Sequence, residues 1–362
     1  MKKKNLLAVI LVAALMTATL SACGSSSSGS TSSSSNGSAT SSSSGSSSRM
    51  NETITAASGD VVPSVDELMT KIPDGTTLKI GYLAQNETDQ FNVYMGQALE
   101  KEAAKYNKKV EVALQDAQSQ AANQVSEAEN MIAQDVDAVI INAVDQDASA
   151  PALTALKNAG IPVISLNTVL SNNDKADAYI GVDDRQAGEE ALKIMAEALN
   201  GKGKINIVQG LLGHPANENR MTGIQTALKD YPDITINATQ AADWDRAKAM
   251  NVTEDWLSGG GDFDGIIALN DEMAISVSNA LTSAGKTGVK VVGIDAIDEA
   301  LELVKSGGMS GTVFQDAILQ GRGALDLAVA ISLKVDVKKE YIIPFQQVTS
   351  KNVEEFFGAY DM

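Results

Sequence analysis

From residue 78 onward, short apolar runs alternate with stretches of helical period. No other feature narrows the fold as far. The runs are 78–84, 110–114, 138–144, 163–166, 179–182 and 205–212, then 234–238, 265–269, 289–294, 312–314 and 341–343. Helical stretches such as 185–199 lie between most of them. Strands that are apolar along their whole length and separated by helices are buried on both faces, which implies parallel sheets covered by helices. Right-handed crossovers are expected throughout. So many strands make two sheets more naturally than one, and the expected fold class is α/β with two doubly wound lobes.

Composition removes several functions. The chain has 362 residues, 28 Lys+Arg against 46 Asp+Glu, and a net charge of −18. Its longest cationic run is Lys2-Lys3-Lys4, so a phosphate backbone finds no patch to bind, and nucleic acid is excluded as a partner. A single Cys forbids an intrachain disulfide and a Cys-rich metal site. A single His forbids an H-E-x-x-H or three-His zinc site. No metal and no cofactor is expected.

The N-terminus carries an address. Lys2 to Lys4 precede an apolar segment, residues 6–16, that is too short to span a bilayer. Leu20-Ser21-Ala22-Cys23-Gly24 then resembles the bacterial lipobox, which implies a signal peptide over 1–22 and lipidation at Cys23. Residues 24–48 are 17 Ser and 4 Gly among 25 residues. Such a segment cannot bury enough apolar surface to order itself, and its reach is about 28 Å. The tether is expected to run over 23–77, with 49–77 only partly ordered.

In doubly wound sheets, ligands bind at the carboxyl ends of the strands. The polar and aromatic residues there are Asp89, Phe91, Asn142 and Asn167, then His214, Arg220, Trp244, Asn270, Asp295 and Gln315. The set holds no nucleophile–base pair and no metal cage. Its carboxylates and amides can each take neighbouring hydroxyls, and Arg donates through a rigid fork. Aromatic faces can cover the C–H face of a ring. A small polyhydroxylated ligand fits this chemistry, and catalysis does not.

At these residues, from about 77 to 357, the chain resembles a type I periplasmic binding protein of the glucose/galactose and ribose group. Thr88-Asp89-Gln90-Phe91 resembles that family's first-strand loop, and Asn142-Ala143-Val144-Asp145 its third-strand end. Gly213-His214-Pro215 with Arg220, and Asp243-Trp244-Asp245-Arg246, resemble its ligand loop and the segment with the stacking Trp. Asn270-Asp271-Glu272 and Gly293-Ile294-Asp295-Ala296 resemble its later ligand segments.

The resemblance implies three crossovers, near 182–184, 315–316 and 345–346. It divides the body into an N-terminal lobe, 78–182 with 317–345, and a C-terminal lobe, 183–316 with 346–362. It also implies an extracytoplasmic lipoprotein that delivers a monosaccharide, glucose- or galactose-like, to the permease and ATPase of an ABC importer. The alternatives are inositol or a pentose in the same role, or a sensing module without transport.

Three departures bear on the ligand. Ala216 stands where the glucose/galactose proteins have an Asp, and Gln315 where they have an Asn. Asn200-Gly201-Lys202-Gly203-Lys204 lacks the carboxylates of a calcium loop. Asn217-Glu218-Asn219-Arg220 and the Trp-Asp-Arg segment also resemble inositol-binding relatives, whereas Asn167-Thr168 argues against ribose.

Overall fold

The computed structural model describes residues 49–362; the basic leader, Cys23 and the serine tract lie outside the described residues. The chain opens with α1 (Val65–Met69), β1 (Leu78–Ala84), α2 (Gln90–Lys105), β2 (Val110–Asp116) and α3 (Ala121–Ala133). β3 (Ala138–Ile141), α4 (Ala150–Asn158), β4 (Val163–Leu166) and β5 (Ala178–Gly181) follow. Next come α5 (Asp184–Ala198), β6 (Lys202–Gln209), α6 (Pro215–Ala227), β7 (Asp233–Ala241), α7 (Arg246–Ser258) and β8 (Gly265–Ala268). After α8 (Asp271–Ser283), β9 (Lys290–Val292), α9 (Asp298–Ser306) and β10 (Gly311–Phe314), the chain ends with α10 (Ala317–Ser332), β11 (Glu340–Ile342) and β12 (Gln346–Thr349).

The strands form two six-stranded sheets, ordered β11-β5-β4-β3-β1-β2 and β12-β10-β9-β8-β6-β7. Every pairing is parallel except β10 with β12. β3, β4, β5, β8 and β10 are buried along their whole length, which is why each reads as an unbroken apolar run. The chain passes between the sheets three times: between β5 and α5, between β10 and α10, and between β11 and β12. β12 was not expected from the sequence. It is an antiparallel edge strand, and of Gln346, Gln347, Val348 and Thr349 only Val348 is buried, so no apolar run marks it.

Residues 49–77 depart from the expected tether: they are laid down on the first lobe. Ile54, Ala56, Val62, Leu68 and Ile72 are buried there. The Ala57 N–H donates to the Ile342 carbonyl at 2.7 Å, so the segment covers the exposed edge of β11. Arg322 on α10 anchors its start, donating to Glu102 at 2.8 Å and to the carbonyls of Glu52, at 3.2 Å, and Arg49. Arg49 in turn pairs with Asp316 and lies over the Phe314 ring.

In the second lobe, α5 and α6 touch backbone to backbone. A Cβ on Gly188 would meet the Arg220 carbonyl oxygen at 1.9 Å, and one on Gly223 would meet that of Arg185 at 2.0 Å. This reciprocal glycine contact brings Arg220 on α6 within 2.8 Å of Asp184 on α5. Gly188→Ala should therefore lower stability by about 1–3 kcal/mol through overpacking. Urea unfolding checks this, and a variant as stable as the parent would show that the helices part freely.

Candidate functional site

Strand ends from both sheets converge on one cavity between the lobes. Counted with its open mouth, its empty space is about 420 Å³. The first lobe contributes Asp89, Phe91 and Asn167, and the second His214, Arg220, Trp244, Asn270, Asp295 and Gln315. Nine of the ten ligand-contact residues expected from the sequence thus line it. The tenth, Asn142, lies one layer back: it is fully buried, and its amide donates to Asn92 Oδ1 at 3.0 Å. Asn92 and Gln85 line the cavity without having been anticipated. Gln85 directly follows the last residue of β1, so the strand-end rule alone would have found it.

Three of the lining residues also cap helices, which fixes their side chains. Asp89 accepts from the N–H of Phe91 at 2.9 Å and of Asn92 at 3.4 Å, starting α2. Asn270 Oδ1 accepts from the Met273 N–H at 3.1 Å, which leaves its NH₂ group to face the cavity. His214 Nδ1 accepts from the Ala216 N–H at 3.2 Å, ahead of Pro215 at the first position of α6. With Nδ1 accepting, the proton of the neutral ring sits on Nε2. That atom is buried and has no partner among the described residues.

Arg220 is held on three sides. Nε donates to Asp184 at 2.8 Å, Nη2 to Gln315 Oε1 at 3.0 Å and Nη1 to the Leu269 carbonyl. Asp295 starts no helix in this way, and its carboxylate accepts no hydrogen bond from the described residues. Trp244 lies against the backbone of Gly210, where an added Cβ would fall 2.1 Å from the ring. His214 meets the indole edge-on at 5.6 Å, and the Arg220 guanidinium stands 5.8 Å from the ring centre.

Backbone strain collects here as well. Asn167, Asp243, Trp244, Asp295 and Ala296 have φ of 57°, 52°, 65°, 127° and 58°, in or near the left-handed region that non-glycine residues seldom adopt. The lobes touch across the cleft, with Tyr94 of α2 donating to Asp298 at 2.7 Å and stacking on Tyr360 at 4.2 Å.

Burial dominates the electrostatics. It pulls His214 down to about 4, so the ring is neutral at neutral pH. Burial, helped by Glu272, pushes Asp89 up to about 6. Asp295 is raised well above the usual carboxylate range by burial, against the opposing pull of Arg220. The cavity thus offers carboxylate acceptors, neutral donors on His214 and Asn270, an Arg fork and an aromatic face. That combination suits hydroxyl groups on a compact carbon frame. Among the described residues no cluster of metal-ligating side chains occurs.

Known proteins share this architecture. A putative rhizopine-binding protein of Rhizobium meliloti is 35% identical over 277 residues, 75% of this chain and 89% of its own. A xylitol-binding protein of Mycolicibacterium smegmatis is 37% identical over 246 residues, covering 68% and 70%. The crystal structure of an ABC transporter solute binding protein from Bacillus halodurans, with bound myo-inositol, superposes with a TM-score of 0.75 at 35% identity, covering 79% of this chain and 99% of that one. The periplasmic binding protein domain profile matches residues 80–334. With two parallel-sheet lobes around one cleft and this sequence match over most of its length, the chain belongs to the periplasmic binding protein family, type I.

Proposed function

We propose that the cleft binds a polyol of the inositol or xylitol kind, and that Asp89, Phe91, Asn167, His214, Arg220, Trp244, Asn270, Asp295 and Gln315 make the contacts. The chain is a solute-binding protein of the sugar ABC-transporter class and not an enzyme. The observation that carries the polyol reading is the donor–acceptor set in one cavity: uncapped Asp295, the unpartnered His214 Nε2 and the pinned Trp244 ring. Hydroxyls donate to the carboxylate and accept from the imidazole, while the ring takes the C–H face.

The glucose- or galactose-like ligand expected from the sequence is not carried forward. Of the relatives described above, one is named for xylitol, one for rhizopine, and one holds myo-inositol, and Ala216 removes a carboxylate that the glucose/galactose proteins are expected to use. The protein acts outside the cytoplasm, as its family does, and attachment through a lipidated Cys23 completes the proposal. That attachment rests on the lipobox resemblance.

Calorimetric titration with myo-inositol, xylitol, ribose, allose, glucose and galactose tests the reading. Myo-inositol or xylitol should bind tightest; glucose binding tightest would overturn the preference, and no binding at all would sink the polyol reading. Asp89 supplies a pH signature. Hydroxyls that donate to its carboxylate favour the charged form, so binding lowers a pKa that stands at about 6 in the free protein. Affinity should then be full above pH 6 and fall as the pH drops below it, with protons released on binding near pH 6. Affinity that is flat from pH 5 to 7.5 would take Asp89 out of the contact set.

A further inference from the structure

Two of the cleft residues share a support that comes from the far end of the chain. After β12, Val353, Phe356, Ala359 and Tyr360 are buried. Phe356 and Tyr360 both pack on Phe314, the last residue of β10, with ring centres 5.2 and 5.6 Å away. The Tyr360 hydroxyl then donates to two main-chain carbonyls, that of Asp295 at 2.7 Å and that of Gln315 at 2.6 Å. Asp295 and Gln315 lie past the ends of β9 and β10, and both line the cleft cavity, whereas Tyr360 does not.

Neither carbonyl needs the hydroxyl to avoid being left unpaired. The Asp295 carbonyl also accepts from the Gln315 N–H at 3.3 Å, and the Gln315 carbonyl from the Ala317 N–H at 3.0 Å. What the hydroxyl adds is a tie. One proton shared between two carbonyls links the two strand ends to each other and to the tail. Local strain gives that tie something to hold: Asp295 and Ala296 have φ of 127° and 58°, conformations that persist only where the surroundings over-determine them. The Asp295 carboxylate has no hydrogen bond of its own within the described residues, so its aim depends on where the backbone is held.

We propose that Tyr360 is a positioning residue for the cleft, whose hydroxyl fixes the backbone of Asp295 and Gln315 so that their side chains meet the ligand. The proposal rests on the reading of those two residues as ligand contacts.

Tyr360→Phe isolates the tie. It keeps the ring, its packing on Phe314 and its stack on Tyr94, and removes only the hydroxyl. Amide hydrogen exchange in the ligand-free variant should quicken about fivefold at residues 294–297 and 315–317, and keep parent rates elsewhere in the second lobe. Calorimetry should show myo-inositol bound about fivefold to tenfold more weakly, the scale of one well-placed hydrogen bond. Phe356→Leu is the comparison, because it loosens the packing of the same tail and leaves the hydroxyl in place. It should lower the urea midpoint, yet bind myo-inositol within about twofold of the parent.

Parent-like exchange at those residues in Tyr360→Phe would mean that the tie holds nothing, and would overturn the proposal. So would quickened exchange with affinity unchanged, or a Phe356→Leu variant that loses as much affinity as Tyr360→Phe. A parent that binds no myo-inositol would bring down the polyol reading alone, and exchange at 294–297 and 315–317 would still decide whether Tyr360 holds the two strand ends.

Discussion

Trp244→Ala should weaken ligand binding by about 2–4 kcal/mol, the range of a central aromatic anchor. Much of that loss comes from order already present before the ligand arrives. Asp243 and Trp244 both sit at positive φ, and the indole rests on the bare backbone of Gly210 with His214 at its edge. Such a ring gives up little freedom on binding, so nearly all of its contact energy appears as affinity. Gly210→Ala is a second route to the same result. Its Cβ would fall 2.1 Å from the indole and push it out of place, so affinity should drop without any change to the aromatic residue. Calorimetry on both variants settles the matter, and a Trp244→Ala affinity within about twofold of the parent would remove the ring from the site.

Arg322→Met should destabilise the fold by about 3–5 kcal/mol, as expected when one partner of a buried ion pair is removed. Arg322 is 5% exposed and Glu102 1%, and Asp326, at 2%, lies close by and accepts from Tyr106 at 2.6 Å. Burial and Glu102 together already raise Asp326 well above the usual carboxylate range. Without the guanidinium, two carboxylates face each other with only Lys105 to offset them. A carboxyl whose pKa is raised on folding loses stability as pH climbs through that value, so the deficit should be larger at pH 8 than at pH 5. Urea unfolding at both values checks size and sign. Arg322→Met with Glu102→Gln should recover part of the loss, because the double variant no longer strands a charge. A single variant within about 1 kcal/mol of the parent would mean that the pair is solvated in practice.

The interior strands were legible in the sequence because parallel strands buried on both faces leave no alternation to interpret. β12 escaped because an edge strand needs little apolar character, and Val348 alone does not make a run. Residues 49–77 escaped for another reason. Their buried residues, from Ile54 to Ile72, stand singly among polar neighbours, and what fixes the segment is Arg322, far away in sequence. Asp89, Asn167, Asn270 and Asp295 followed from the strand-end rule. The same rule included His214, Arg220 and Trp244, but a loop histidine, a helix arginine and a lone tryptophan are common on a surface or in a core, and the family resemblance was what singled them out. Asn142 met the same strand-end rule as Asn270, yet its side chain turns to Asn92. Sequence position locates the Cα of such a residue, and packing chooses where the amide points.

β11 and β12 are each the edge strand of their sheet, and both fall within residues 340–349. A chain that stops before residue 340 lacks one edge strand in each lobe, and the last helix of the first lobe, α10, arrives only at 317. Contacts between ends so distant in sequence form late and slowly, because loop closure must come before any pairing. A growing chain of this topology therefore has no early stopping point at which either lobe is whole.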